Sequence, residues 1–221
     1  MLNQGIIDTI ESLRVAARSL PKIWDGRNAI LEMKEGGSKN WKQMEWQGWY
    51  FEFKCKSLFQ GIVNMPGKKY GKTEFDAFSG ISWDLKAHTA NTTNHRVITN
   101  DAEAIMNTIH DYGHYGLILA IGAVEYNDEE GTFKKWHDDL KGGISEYEKN
   151  RINRGAMSRI RKTEFVLQEI HFACFDLEAL EQCGGSFQKG FRNAGGTPRR
   201  EKTSINIRRI PDQSLIATEV F

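Results

Sequence analysis

The amino-acid sequence predicts an α/β fold in which a central mixed β-sheet is flanked by helices. Three observations support this prediction: two apolar repeats at helical spacing, a hairpin rich in aromatic and β-branched residues, and a hydrophobic run typical of a strand buried on both faces. The order helix, hairpin, helix, buried strand is typical of layered domains with one mixed sheet. The 221 residues show no internal repeat and no long linker, so we predict a single domain spanning residues 1–221.

Three segments are predicted to be helical. Residues 2–20 carry apolar side chains near helical spacing, and Pro21 ends the run. Residues 41–59 fit both a helical and an alternating pattern, of which we favour the helix. Residues 102–112 form the third helix, because Asn100 and Glu103 make a capping signature before it and Gly113 ends it.

The remaining regular elements are predicted to be strands. Met65-Pro66-Gly67 and the two lysines that follow indicate a loop. Residues 73–78 and 81–88 form the arms of a hairpin joined across Ser79-Gly80. Residues 115–126 form the buried strand, and the alternation in residues 169–175 indicates another.

Composition excludes several classes of protein. The longest run without a charged or strongly polar residue is the nine residues 116–124, too short to span a membrane. Charged residues interrupt the first apolar stretch, which is unlike a secretory signal. We therefore expect an intracellular, cytoplasmic protein with no membrane partner. Three well-separated cysteines favour free thiols over a disulfide framework or a zinc cage.

Charge is unevenly distributed, although the net charge is only +1. Residues 100–150 contain eleven acids and four bases, whereas residues 151–209 contain twelve bases and six acids. Such clustering is typical of a surface that binds a polyanion, because each base placed against a phosphate releases a counterion. A solvated surface with no ligand is the alternative interpretation.

The second arm of the hairpin carries a group of polar residues. Its apolar residues alternate with polar ones, so one face of this strand is polar. The residues of that polar face are Ser82, Asp84, Lys86 and His88. A pairing that sets Asp76 opposite Asp84 brings two carboxylates to about 5 Å between Cβ atoms. Two carboxylates this close repel unless a cation lies between them, and Mg²⁺ suits such a pair.

This pairing depends on the turn of the hairpin. A strict two-residue turn at Ser79-Gly80 would pair Phe78 with Ile81 and place the two aspartates on opposite faces. A three-residue loop with a bulge at Gly80 pairs Phe78 with Ser82 instead. We predict the second register.

Asp76 followed by Asp84-Leu85-Lys86 is similar to the signature of the PD-(D/E)xK nucleases. The flanking order of elements over residues 41–126 resembles their catalytic core, so the resemblance implies a restriction-endonuclease-like core. The basic residues 151–209 resemble the region with which type II restriction endonucleases hold DNA. Phe75 stands where the signature has proline.

The resemblance also implies roles for individual residues. Asp76 and Asp84 would be ligands of Mg²⁺, with the carbonyl of Leu85 as a third ligand, and Lys86 would orient or help deprotonate the attacking water. Glu45 would be the additional acid that many members place near the metal. Glu52 and Glu74 are alternatives for that role.

The basic region supplies the residues expected to contact DNA. One set is expected to bind phosphates, which positions a protein without specifying sequence. These residues are Arg151, Arg154, Arg159, Arg161 and Lys162. A second set, from a glycine-rich segment and the residues after it, contains the side chains suited to read base edges. These residues are Gln188, Lys189, Arg192, Asn193, Arg199, Arg200 and Lys202. A mobile surface loop of the same composition is the alternative.

Together these features predict a Mg²⁺-dependent type II endonuclease that cleaves double-stranded DNA at a short sequence, acting as a homodimer on a two-fold symmetric site. One alternative is a repair or recombination nuclease that recognises DNA shape. A DNA-binding regulator without an active site is another. A fourth interpretation is an interaction protein whose basic segment meets the acidic residues 125–139 of a neighbouring chain.

Overall fold

Helices and strands alternate along the chain in the computed structural model, which describes residues 2–157, 160–193 and 195–221. The helices are α1 (Gln4–Ala17), α2 (Gly26–Glu35), α3 (Trp46–Leu58), α4 (Ala102–Tyr112), α5 (Thr132–Leu140), α6 (Glu146–Asn153) and α7 (Leu177–Cys183). The strands are β1 (Ile23–Asp25), β2 (Lys69–Tyr70), β3 (Thr73–Glu74), β4 (Ala77–Ser79), β5 (Ile81–Thr89), β6 (Arg96–Asp101), β7 (Tyr115–Glu125), β8 (Glu164–Phe175), β9 (Gly184–Phe187), β10 (Lys202–Asn206) and β11 (Leu215–Val220). No helix in these described ranges is both long and apolar enough to cross a membrane.

The main sheet is mixed, as the sequence predicts. Its strand order is β1-β8-β7-β5-β4, and β11 also pairs with β8. Strands β5 and β7 are parallel and the other pairs are antiparallel. A smaller sheet has the order β6-β10-β9, and β2 pairs with β3.

Two hydrophobic clusters cover the two faces of the main sheet. On one face, α1, α2 and α3 pack against the apolar side chains of β5, among them the fully buried Trp83. On the other face, α4 and α7 pack against Tyr115 and Leu117 of β7. Helices on both faces of a mixed sheet confirm the predicted fold class at this level.

Several predicted elements occur where the sequence indicates them. Residues 41–59 contain α3, so the helical interpretation of that segment is right. Helix α4 ends at Gly113, whose φ of 77° is the left-handed conformation expected of a C-terminal glycine. The predicted cap of this helix is wrong, because Asp101 rather than Asn100 is the N-cap residue. Local sequence patterns do not predict helices α2, α5, α6 and α7, strands β1 and β6, or the strands after residue 175.

The first arm of the hairpin is interrupted between β3 and β4. Phe75 is buried against the ring of Tyr115, at 6.0 Å between ring centroids. Its main chain bonds to the preceding loop, donating to Lys68 and accepting from Gly67. Asp76 therefore lies at a break in the strand, directly before β4.

Candidate active site

The hairpin formed by β4 and β5 determines which side chains face each other. Phe78 pairs with Ser82, and Gly80 in the turn has a φ of 71°, which favours glycine. The predicted register is therefore confirmed. Extending this pairing toward the start of the first arm places Asp76 opposite Asp84.

Three oxygen atoms converge on one cation, the ammonium group of Lys86. Its Nζ lies 3.4 Å from Asp76 Oδ2 and 3.7 Å from Asp84 Oδ1. It also donates a hydrogen bond of 3.1 Å to the main-chain oxygen of Leu85. The main-chain N–H of Leu85 donates to Asp76 Oδ2 at 2.7 Å, which holds this carboxylate in place. The structure thus brings together the four residues that the nuclease signature contains.

Asp84 is held by hydrogen bonds from two other elements. Its side chain is fully buried. The hydroxyl of Tyr115, at the start of β7, donates to Asp84 Oδ2 at 2.7 Å. The main-chain N–H of Asn100 donates to the same oxygen at 3.0 Å, and its side-chain Nδ2 donates to Oδ1 at 3.2 Å. Asn100 therefore orients this carboxylate instead of capping α4.

The pKa values in this cluster reflect a competition between burial and charge. Burial is the largest influence on Asp84 and raises the pKa of its carboxyl, against the attraction of Lys86. Burial would lower the pKa of Lys86, but Asp84, Asp76 and Glu52 outweigh it and raise that pKa above its ordinary value. Lys86 is therefore protonated at neutral pH and supplies a positive charge between the acids.

Among the three acids considered for the additional role, Glu52 interacts electrostatically with both aspartates. It lies on α3. Burial and the charge of Asp76 raise the pKa of Glu52, the charge of Lys86 lowers it in part, and the resulting pKa is about 7. Glu45 lies at the N-cap of the same helix, seven residues or about 10 Å earlier along the axis. Its carboxylate accepts a hydrogen bond of 2.6 Å from Lys162. The geometry therefore favours Glu52 over Glu45 for the additional acid.

A cleft of about 430 Å³ opens over this cluster. Its lining includes Glu52, Lys56, Glu74 and Asp76. Glu74, the third alternative for the additional acid, is exposed on β3 at the mouth of the site. A substrate can therefore approach Asp76 and Glu52 from solvent.

The oxygen atoms of the cluster suit a hard cation. In the part of the chain that the structure describes, no group of three or more histidine, cysteine, aspartate or glutamate side chains is arranged to hold a metal ion. The set here is smaller, namely the carboxylates of Asp76 and Asp84 and the carbonyl of Leu85. Mg²⁺ is usually held by one or two carboxylates and keeps several waters, so this set fits Mg²⁺ better than zinc.

Only part of the first basic set lies on the surface. Arg154 is exposed at the end of α6. Arg161 is only 8% exposed, which leaves little of its side chain accessible to a phosphate. Arg159 lies outside the described residues.

Two further members of this set are bound to acids of the chain itself. Arg151 makes two hydrogen bonds to Glu148, at 2.6 and 3.0 Å, and its side chain is 12% exposed. Lys162 pairs with Glu45, and its side chain is 18% exposed. The charges of both bases are therefore largely balanced within the protein.

The second basic set forms the connection between β9 and β10. Gln188 and Lys189 begin this segment, and Lys189 is exposed. Arg192 donates to the carbonyl of Gly196 at 2.7 Å. Arg199 donates to Asn193 Oδ1 at 3.2 Å. Arg192 and Arg199 are thus both hydrogen-bonded to other residues of this segment.

The base of this loop adjoins the acidic cluster. Arg200 forms an ion pair with Asp101, and Lys202 lies 3.9 Å from the same carboxylate. Asp101 directly follows Asn100, which binds Asp84. The fold therefore places the basic loop beside the candidate active site.

Sequence reasoning did not identify Tyr115 or Asn100 as site residues. The sequence pattern places Tyr115 at the start of an apolar strand, and the contact of Tyr115 with Asp84 depends on the parallel pairing of β5 with β7. The hydrophobic periodicity of one strand does not indicate which other strand it pairs with. Asn100 carried a signal of its own, the polar residue before a helix, but the signal pointed to a cap.

Comparisons with protein-family models, with curated proteins and with solved structures found no match to this chain.

Proposed function

We propose that this chain is a Mg²⁺-dependent endonuclease that hydrolyses phosphodiester bonds in double-stranded DNA at a short sequence. The observation that carries the proposal is the convergence of oxygens of Asp76, Asp84 and the Leu85 carbonyl on one cation, the ammonium of Lys86, whose place among these oxygens Mg²⁺ would take. A mixed sheet with this hairpin, a helix and a parallel strand agrees with the restriction-endonuclease-like core implied by the sequence. Function as a homodimer in the cytoplasm is part of the same proposal.

The residues of the cluster would have different roles in the reaction. Asp76, Asp84 and the carbonyl of Leu85 would hold Mg²⁺, which lowers the pKa of bound water and neutralises charge on a phosphate. Tyr115 and Asn100 keep Asp84 in one orientation, so the carboxylate needs no rearrangement on binding.

Lys86 contributes charge rather than basicity in the metal-free protein, because its pKa is raised. Its ammonium would leave the carboxylate oxygens when a divalent cation takes them, and would then face the phosphate whose negative charge increases during hydrolysis. Glu52, with a pKa of about 7, can hold a proton close to neutral pH. It is therefore a candidate to exchange a proton with water in the cleft.

A nuclease that recognises DNA shape is the second candidate. It is favoured by the bonding within the β9–β10 loop, where Arg192, Asn193 and Arg199 already bond to one another or to the loop main chain. These side chains must break those bonds before they can read bases. The basic loop would then position DNA through its phosphates.

The test is cleavage of a plasmid and of mixed linear DNA, with Mg²⁺ or with EDTA, followed by sequencing of the ends. Mg²⁺-dependent fragments with uniform ends support a site-specific enzyme, whereas heterogeneous ends support the second candidate. Asp84→Asn and Lys86→Ala should each lower the cleavage rate at least 100-fold. The exposed Asp139→Asn serves as the matched control and should cut at the parental rate.

Two outcomes would overturn the proposal. One is an Asp84→Asn variant that is folded by circular dichroism and cleaves DNA as fast as the parent. The other is salt-sensitive DNA binding that needs no metal and leads to no cleavage, which would indicate a DNA-binding regulator instead.

A further inference from the structure

A second pocket lies along β5 from the acidic cluster. It has a volume of about 340 Å³ and lies between the first turn of α3 and the C-terminal half of β5. We call it the Gln47 pocket. The lining residues used below are Glu45, Gln47, Ala87, His88, Tyr126 and Lys162.

Two buried polar atoms of this pocket lack a partner. Gln47 is 6% exposed, and its Oε1 has no hydrogen-bond partner among the described residues. The same holds, within those residues, for Nε2 of His88. The other end of the Gln47 amide is committed, because Nε2 donates to Glu45 Oε2 at 3.1 Å. Since an unpaired buried acceptor is costly, Gln47 Oε1 indicates a site for a group that donates a hydrogen bond.

The main chain of β5 adds polar groups to the pocket. Strand β4 covers this edge of β5 only as far as Trp83. Beyond it, the N–H of Leu85 points outward to Asp76. Main-chain groups of alternate residues point the same way in a strand, so the N–H and C=O of Ala87 face the same open edge.

The position of the pocket relates it to the candidate active site. Lys86 and His88 are two residues apart on one strand, a separation of about 7 Å. Side chains two residues apart project to the same side of a strand. A nucleotide whose phosphate lies at the acidic cluster can therefore extend its base toward the pocket.

We propose that the Gln47 pocket binds one unstacked nucleobase of the strand that the cluster of Asp76 and Asp84 cleaves. This inference rests on the proposed nuclease function and adds the substrate feature that it recognises. Gln47 Oε1 accepts a hydrogen bond from the exocyclic amine of the base, so adenine, cytosine or guanine binds more tightly than thymine, which has no such amine. Tyr126, which is 42% exposed, offers an aromatic face to the base. A base read in this way has left the stack or belongs to a single strand.

The test measures nucleotide binding alone, in EDTA and without DNA. The protein is titrated with dAMP, dCMP, dGMP and dTMP while the ring protons of His88 are followed by NMR. We expect dAMP, dCMP or dGMP to shift the His88 signal at millimolar concentrations, with dTMP at least fivefold weaker. Gln47→Leu should remove this preference, and the exposed Gln43→Leu should keep it.

Three outcomes would overturn the inference: no nucleotide shifts His88, dTMP binds as tightly as the other three nucleotides, or Gln47→Leu retains the preference. The first would mean that water alone fills the pocket. Gln47→Met provides a second apolar variant of similar length should the leucine variant fail to fold. This binding test involves no metal and no cleavage, so a negative result does not affect the cleavage test of the proposed nuclease function. Selective nucleotide binding without any DNA cleavage would overturn only the nuclease proposal.

Discussion

Replacing Lys86 with methionine tests whether its ammonium and a divalent cation compete for the same oxygens. The substitution keeps the length of the side chain but removes its charge. It leaves Asp76, Asp84 and Glu52 facing one another without the base that lies 3.4 and 3.7 Å from the two aspartates. Removing one partner of a buried pair typically costs 3–5 kcal/mol, and the Lys86 side chain is 28% exposed. We therefore expect the free energy of unfolding to fall by about 3 kcal/mol.

The assay is thermal unfolding in EDTA, followed by titration with Mg²⁺. For a chain of this length, a loss of about 3 kcal/mol lowers Tm by roughly 6–12 °C. Mg²⁺ should then stabilise Lys86→Met more than the parent, because the methionine variant leaves the oxygens open. A Kd equal to one tenth of the free Mg²⁺ concentration corresponds to about 1.4 kcal/mol of stabilisation.

The control is Lys149→Met, which removes an exposed lysine paired with Glu146. Exposed pairs contribute about 0–1 kcal/mol, so the Tm of this variant should stay near that of the parent and respond to Mg²⁺ as the parent does. The reasoning is refuted if Mg²⁺ raises the Tm of Lys86→Met and of the parent equally. It is also refuted if the double variant Lys86→Met/Asp84→Asn keeps the full Mg²⁺ effect.

Three other predictions concern stability and DNA binding. Burial and, secondarily, Lys141 lower the pKa of His137 from 6.5 to about 4, so the folded state favours the neutral histidine. The contribution of His137 to the free energy of unfolding is therefore complete above pH 6.5 and decreases as the pH falls toward 4. Urea unfolding should therefore show a loss of about 2 kcal/mol between pH 7 and pH 5 that His137→Gln removes. Tyr115→Phe deletes the buried hydrogen bond to Asp84 and should lower the free energy of unfolding by about 2 kcal/mol in the same assay. Lys189→Ala should weaken DNA binding in Ca²⁺ uniformly across sequences and reduce the slope of log K against log salt by about 1, measured by fluorescence anisotropy.

Each of these predictions has a matched control. His110→Gln changes a histidine whose side chain is 88% exposed and should keep the parental pH dependence. Tyr147→Phe changes a tyrosine that is 71% exposed and should leave stability unchanged. Lys135→Ala changes an exposed lysine of α5, in the acidic part of the chain, and should leave the salt slope as it is. An effect of equal size in the control variant would contradict the corresponding argument.

Local patterns were sufficient for three of the elements around the candidate site, namely β5, α4 and β7. The alternation in β5, the capped end of α4 at Gly113 and the apolar run of β7 each depend on neighbours in sequence, so one segment at a time reveals them. Gly80 also suggested the register of the hairpin, since a three-residue loop places glycine where φ is positive. Strand β11, by contrast, is mostly half-buried and shows no clear alternation, because it lies at a sheet edge and is defined by its pairing with β8.

The identity of the additional acid shows where sequence reasoning stops. Glu45 and Glu52 are seven residues apart, so in a helix they project within about 20° of one another. Helical periodicity therefore does not distinguish Glu45 from Glu52 as the additional acid. Only the placement of α3 against β5 brings Glu52 to Asp76 and leaves Glu45 with Lys162.

The sequence by itself determined the polar face of β5, because that face follows from the period of a strand. It favoured the register that sets Asp76 opposite Asp84 through the glycine of the turn, and the structure decided between the two registers. Tertiary structure alone decided that Arg161 is buried, that Asn100 binds Asp84 and that Tyr115 supports the same carboxylate. These contacts join segments distant in the chain. Their geometry is set by how helices and strands pack, which the order of residues along one segment does not encode.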